Sequence, residues 1–206
     1  MPRLLHIDAS PRAERSRSRP VAQAFLDALG DGWQVETLLP FEEKLPALGG
    51  DMIEGRYAML FGEEVAPGIA SAWDEVREAA ERFMQFDGIV ISTPMWNFGL
   101  PYALKHYIDV ITQPGMLFRN DAQGNVEGLA AGKRALLIGA SAMPFGKDEG
   151  LAALDFQVAY LERWMDFIGL SERAVIRVSP TFGAPEDVEA EMARATTEAR
   201  EKAAGW

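Results

Sequence analysis

Short apolar runs alternate along this chain with segments whose apolar residues recur every three or four positions. No other feature limits the fold as tightly. The runs predict strands at 4–7, 35–39, 88–92, 134–139 and 174–178, and the periodic segments predict helices over about 18–29, 70–86, 101–112, 151–168 and 186–204. Strands separated by helices of this length form βαβ units and a parallel sheet. The first, third and fourth runs are almost continuously apolar, as strands covered on both faces are. With 206 residues, 48% of them hydrophobic, the chain is long enough to bury one core. The reading is a single α/β domain over 1–206, a doubly wound five-stranded parallel sheet with helices on both faces.

Two segments depart from this pattern. Residues 40–69 are broken by Pro40, Pro46, Gly49, Gly50, Gly55, Gly62, Pro67 and Gly68, and are too long for a plain connection. They also carry Met52, Ile53, Tyr57, Met59, Leu60 and Phe61, which predicts a short helix packed on the same subunit or on a partner. The helix predicted at 151–168 has two apolar stripes: Leu151, Leu154, Val158, Leu161, Met165 and Ile168, and then Phe156, Tyr160, Trp164 and Phe167. A surface helix needs one stripe. The second either widens the core face or meets another subunit.

Charge and composition exclude several classes. Twenty basic against thirty-one acidic residues give a net charge of −11, which argues against a nucleic-acid partner. Residues 1–20 hold five arginines against Asp8 and Glu14, a local +3, leaving −14 on the remainder. Such a patch on an acidic body suits a small anion. Cysteine is absent, so thiolate chemistry and disulfides are out, which suits a reducing compartment. No apolar run approaches the roughly 20 residues that span a bilayer. The expectation is a cytoplasmic protein with no membrane and no nucleic-acid partner.

In an open α/β sheet, ligands bind outside the carboxyl ends of the strands. After the first strand come Ser10-Pro11-Arg12 and then Ser16-Arg17-Ser18, leading straight into a helix. Serines there cap free N–H groups, and the same N–H groups with the helix dipole make an anion site; both readings stay open for this turn. The G-x-G-x-x-G fingerprint is absent, and the Walker-like 128–134 segment precedes a strand where such a loop must follow one. After the third strand, Met95, Trp96, Asn97 and Phe98 stand on a loop before Pro101 opens the next helix. Large apolar groups around one amide suit a flat aromatic ligand with a polar edge. His6 lies within a strand and reads as core; His106 lies off its helix's apolar stripe and reads as surface or packing. No acidic or histidine cluster has metal-ligand spacing.

The stretches "SPRAERSRS", "PMWNFGLPYALKHYIDVITQPGMLFR" and "EGLAAGKRALLIGAS" resemble the flavin-dependent NADH-azoreductases, which are flavodoxin-like quinone and azo-dye reductases. The resemblance runs in order along nearly the whole chain. It implies a flavodoxin-like sheet of order 2-1-3-4-5, FMN as cofactor, NADH or NADPH as donor, a quinone or azo acceptor and a homodimer. It implies two-electron, ping-pong hydride transfer with the flavin carrying the chemistry and no catalytic side chain. By resemblance, Ser10, Ser16, Arg17 and Ser18 hold the phosphate and ribityl region; Met95, Trp96, Asn97 and Phe98 hold the ring; Ser141, in the loop after the fourth strand, contacts its far side. Phe118 either lines the acceptor pocket or belongs to the core. The chain departs from the family at 140–146, where a Ser-Arg-Gly-Gly-like loop and its arginine are missing, and at Trp96, where many relatives have tyrosine. A rival class is a flavodoxin-type electron carrier without catalysis. Hydrolysis of a phosphopantetheine ester lacks an activated Ser-His pair.

Overall fold

In the computed structural model, residues 1–145 and 149–206 are described. Seven strands and seven α-helices follow in the order β1 (Arg3–Asp8), α1 (Ser18–Leu29), β2 (Gln34–Leu38), α2 (Gly50–Leu60), α3 (Pro67–Met84), β3 (Gly88–Pro94), α4 (Tyr102–Ile111), β4 (Phe118–Asn120), β5 (Val126–Gly128), β6 (Arg134–Ala140), α5 (Glu149–Ala152), α6 (Phe156–Phe167), β7 (Glu172–Val178) and α7 (Pro185–Ala203). Five strands form one parallel sheet in the order β2-β1-β3-β6-β7. Counted within that sheet alone, this is the expected 2-1-3-4-5.

Period-two alternation divides each strand between two cores. Leu4, Val90, Leu136, Ile138 and Val178 face α1 and α7, where they meet Val21, Phe25, Ala195 and Ala199. Leu5, Ile7, Ile89, Ile91 and Leu137 face the opposite layer and meet Trp73, Phe83, Leu104, Ile108, Leu161 and Met165. Alanine at 195, 199 and 203 gives α7 a smooth buried stripe against the α1 side. With both faces covered, the ends of the strands are what the sheet leaves open.

The 40–69 excursion contains the expected short helix, α2, and it packs on its own chain. Trp73 of α3 donates its indole N–H to the Met52 carbonyl at 3.0 Å. Arg56 lies over the Trp73 ring, 5.1 Å from its centroid, and donates to the Pro114 carbonyl at 3.2 Å. His106 is a packing residue, its Nε2 lying 3.0 Å from the Pro46 carbonyl oxygen. Helix α3 starts at Pro67, three residues before its predicted start, because Pro67 fits the first helical turn.

The helix predicted over 151–168 is two helices. Asp155 ends the first and caps the second, accepting the Val158 N–H at 3.0 Å while its other oxygen holds Arg177 at 3.1 Å. The second apolar stripe also divides. Trp164 is only 5% exposed, packs on Phe83 at 5.9 Å and donates to Thr112 Oγ1 at 2.9 Å, so it is core. Phe156 stays 57% exposed and Phe167 is also exposed.

A two-stranded hairpin, β4 with β5, was not foreseen. Its base rests on the turn after α6 at two glycines. A Cβ on Gly128 would overlap the backbone of Ile168 and Gly169, and Gly169 has φ +85°. Gly128→Ala is therefore expected to cost about 3 kcal/mol of stability in urea unfolding. Gly49→Ala, at a position with nothing within 4 Å of a new Cβ, serves as the near-neutral control.

Candidate functional site

The carboxyl ends of β1, β3 and β6 form one crevice. At the end of β1, Asp8 is buried. One of its oxygens accepts the Ser10 N–H at 3.1 Å and the Ser92 hydroxyl at 3.5 Å; the other accepts from Arg19 Nε. Arg19 also reaches the Ser10 carbonyl at 3.5 Å. This pair ties the first turn of α1 to the strand end and shapes the chain between them. Residues Ala13–Arg15 form a 3₁₀ turn closed by Ser16 N–H to Ala13 O at 3.0 Å.

Ser10, Ser16 and Ser18 are all buried in this turn. Ser16 Oγ accepts the Arg19 N–H at 3.1 Å and lies 3.4 Å from Ser18 Oγ. So Ser16 does cap the helix, as one sequence reading held. The N–H groups of Arg17 and Ser18 meet no acceptor among the described residues and stay available. Orphan N–H groups at the start of a twelve-residue helix, with three buried hydroxyls beside them, are the donor set an anion needs. The Arg17 side chain is exposed.

At the end of β3 the chain makes a two-residue hairpin. Trp96 and Gly99 exchange both backbone hydrogen bonds, at 3.0 and 2.9 Å. Asn97 has φ +47° and Phe98 φ +69°, so both central residues are left-handed. That is the backbone of a type I′ turn, which asparagine tolerates. A phenylalanine there costs of order 1 kcal/mol. The strain turns Phe98 outward, where it is 41% exposed, and leaves the Asn97 and Phe98 N–H groups without acceptors among the described residues. Met95 is anchored by its N–H to the Ala140 carbonyl at 2.7 Å.

The loop after β6 faces this turn. Phe145 approaches Phe98 at 6.3 Å. Ser141 is buried and donates its hydroxyl to the Met143 carbonyl at 2.9 Å, leaving it as an acceptor. Its carbonyl accepts both the N–H and the hydroxyl of Thr181, at 2.9 and 3.0 Å. Of the loop read at 140–146, Gly146 lies outside the described residues.

The structure thus brings Ser10, Ser16, Arg17, Ser18, Met95, Trp96, Asn97, Phe98 and Ser141 to one end of the sheet. Phe118 is not among them. It lies beyond α4, which runs from the crevice to the opposite end, and its ring packs on Phe167 at 4.7 Å. It does not reach the crevice of its own chain.

Three supporting residues escaped the sequence reading. Phe41 and Tyr102 flank the Trp96 indole at 5.7 and 6.3 Å. Gln157, buried on α6, donates to the Thr93 carbonyl at 3.2 Å, two residues before Met95. A Cβ on Gly139 would come within 2.7 Å of Gln157 Oε1. A glycine inside an otherwise apolar strand was the one available signal.

His6 is core, as expected, with Nε2 2.9 Å from Ser92 Oγ. Burial pushes its pKa from 6.5 down to about 4, Arg19 lowers it further and Asp8 opposes the fall. The unfolded chain therefore binds a proton that the fold refuses between pH 6.5 and about 4. Stability is complete above pH 6.5 and declines through that window, by about 3 kcal/mol in all. In His6→Gln, urea midpoints measured from pH 7 to pH 4 should lose this component of the slope.

A family model described as having a flavodoxin-like fold matches residues 2–203. The FMN-dependent NADH:quinone oxidoreductase of Nitratidesulfovibrio vulgaris is 39% identical over 207 residues, covering 98% of this chain and 99% of that protein. Its namesake from Desulfotalea psychrophila is 37% identical over 202 residues, covering 97% and 95%. Among solved structures, the azoreductase from Bacillus anthracis superposes with a TM-score of 0.90 at 25% identity, covering 100% of both chains.

Proposed function

The chain belongs to the flavodoxin-like family of FMN-dependent NADH:quinone oxidoreductases, and from that premise we propose that it is an FMN-dependent oxidoreductase taking electrons from NADH to quinones or azo compounds. The observation that carries the reading is the pairing of two donor sets at one crevice: free N–H groups with buried serines at α1, and free N–H groups with exposed rings at 96–98. The first suits a terminal phosphate and the second a flat ring with a polar edge. FMN has both.

In this reading Ser10, Ser16, Ser18 and the Arg17 backbone hold the phosphate and ribityl chain. Met95, Trp96 and Phe98 cover the ring, and Asn97 with its neighbouring N–H groups bonds its pyrimidine edge. Ser141 fixes the loop on the ring's far side. When bound, FMN supplies two-electron redox chemistry, accepting hydride equivalents from NADH and passing them to the acceptor. The protein's share is position, exclusion of water and N–H dipoles directed where negative charge builds up. No side chain need act as nucleophile. His6, neutral and locked to Ser92, takes no part in proton transfer.

The assembly belongs to the same proposal. Leu100, Phe156, Ala159 and Tyr160 line an apolar groove beside the crevice, and Phe156 is among the most exposed rings of the chain. A second copy covering this groove makes a homodimer. Phe118 can line an acceptor pocket only if it is supplied by that second copy. No helix among the described residues is long and apolar enough to cross a membrane. The cysteine-free, acidic chain fits a cytoplasmic enzyme with small-molecule partners and no nucleic acid.

Anaerobic titration of the FMN-loaded protein with NADH should bleach the flavin, and a quinone should restore its colour. A protein that takes up no FMN would sink the proposal. The two serines should separate. Ser18→Ala is expected to weaken FMN binding about fivefold with little change in stability. Ser16→Ala should lose comparable affinity and also about 1 kcal/mol of stability, because it caps α1. Equilibrium dialysis and urea unfolding measure the two effects independently.

A further inference from the structure

We infer that the arginine-rich rim beside the α1 turn is a subsite for the adenosine diphosphate portion of the reduced dinucleotide, an inference that rests on the NADH-dependent reading above. Arg12, Arg15, Arg17, Thr181 and Phe182 line a surface pocket of about 490 Å³, together with Glu14 and Ser16. A second hollow of about 300 Å³ shares Arg17, Thr181 and Phe182 and continues to Val188 and Glu189. Phe182 stands between the two, 82% exposed, and its ring meets no other ring among the described residues.

The arginines are the unusual part. The chain has thirty-one acidic residues, and Arg19, Arg82, Arg134, Arg173, Arg177 and Arg194 each hold a carboxylate. Among the described residues, the side chains of Arg12, Arg15 and Arg17 hold none. Three free guanidinium groups within six residues repel one another. Yet the turn confines them, through Arg15 N–H to Arg12 O at 3.0 Å and Ser16 N–H to Ala13 O at 3.0 Å. Against them the pocket sets one acid, Glu14.

Planar guanidinium forks match phosphate oxygens, and an unpartnered ring offers a face to a base. Together they call for an anion with an aromatic group, which describes an adenine nucleotide. The −14 charge of the remaining chain excludes a long polyanion such as nucleic acid. The phosphate of the flavin uses serines and backbone N–H groups, so the side chains of Arg12 and Arg15 are left over.

Connectivity links this rim to the crevice. Thr181 bonds the Ser141 carbonyl twice, at 2.9 and 3.0 Å, and Ser141 begins the loop facing the 96–98 turn. The pocket and the crevice therefore share one wall. A dinucleotide with its nicotinamide in the crevice can pass its diphosphate along the arginines and lay its adenine on Phe182.

The test compares the FMN-loaded parent with Arg12→Ala/Arg15→Ala and with Phe182→Ala. NADH serves as one donor and reduced nicotinamide mononucleotide, which lacks the adenylate, as the other. KM for NADH should rise about tenfold in the double variant and about threefold in Phe182→Ala, with kcat unchanged. KM for the mononucleotide and the flavin content should not move. Calorimetric titration with ADP should show binding to the parent that weakens in the same order. Unchanged KM for NADH, or no ADP binding by the parent, overturns the inference. So does loss of flavin from the double variant, which would assign those arginines to the cofactor. If neither donor bleaches the parent's flavin, the functional reading fails by itself, and the ADP titration still decides the subsite.

Discussion

A single buried carboxylate organises the working end of this molecule. Asp8 sits where β1 ends, and burying it alone would cost several kcal/mol. Its companions come from three directions: the backbone of Ser10 just after it, Ser92 on the neighbouring strand and Arg19 on the first turn of α1. Meeting that demand fixes where α1 begins. Once Arg19 is drawn to Asp8, the residues between must loop outward through a 3₁₀ turn, and the N–H groups of Arg17 and Ser18 are left facing the crevice. The anion-binding geometry follows from the needs of one carboxylate.

The second half of the crevice is made by strain. Two successive left-handed residues, one of them a phenylalanine, let β3 reverse in two residues and hold a ring and two N–H groups outward. The sheet alone cannot enforce such a turn. Around it stand Phe41 and Tyr102 against Trp96, Phe145 against Phe98, and Gln157 beneath Thr93. Sites that store strain are held by neighbours of this kind.

These neighbours mark what was legible in the sequence and what was not. Ser10, Ser16 and Ser18, and the run from Met95 to Phe98, could be read because a strand end followed by its own loop is local information. Gln157 under Thr93 and Thr181 on Ser141 could not, since each pairing depends on which strands lie side by side. The helix read across 151–168 failed for a related reason. Leu151 and Leu154 continue the apolar rhythm of Val158 and Leu161, and that rhythm hid Asp155, a cap in mid-pattern. Trp164 looked like half of an outward stripe, but α4 and Phe83 enclose it from the sides. Phe118 read as part of the site because its loop follows the ring-binding helix, but ten helical residues carry it about 15 Å away.

The small hairpin has two very different ends. Its tip, around Asp121 to Asn125, is exposed and closed on itself by the Asp121 carboxylate, which takes the N–H groups of Gln123 and Asn125 at 2.9 and 2.8 Å. Its base is backbone against backbone at Gly128 and Gly169, with Leu129 N–H bonded to Leu117 O at 2.9 Å. Length and composition are therefore free to drift at the tip while the base admits almost nothing. A foreign peptide spliced between Asp121 and Asn125 would be displayed on an anchored stem, at the pole of the molecule turned away from its chemistry.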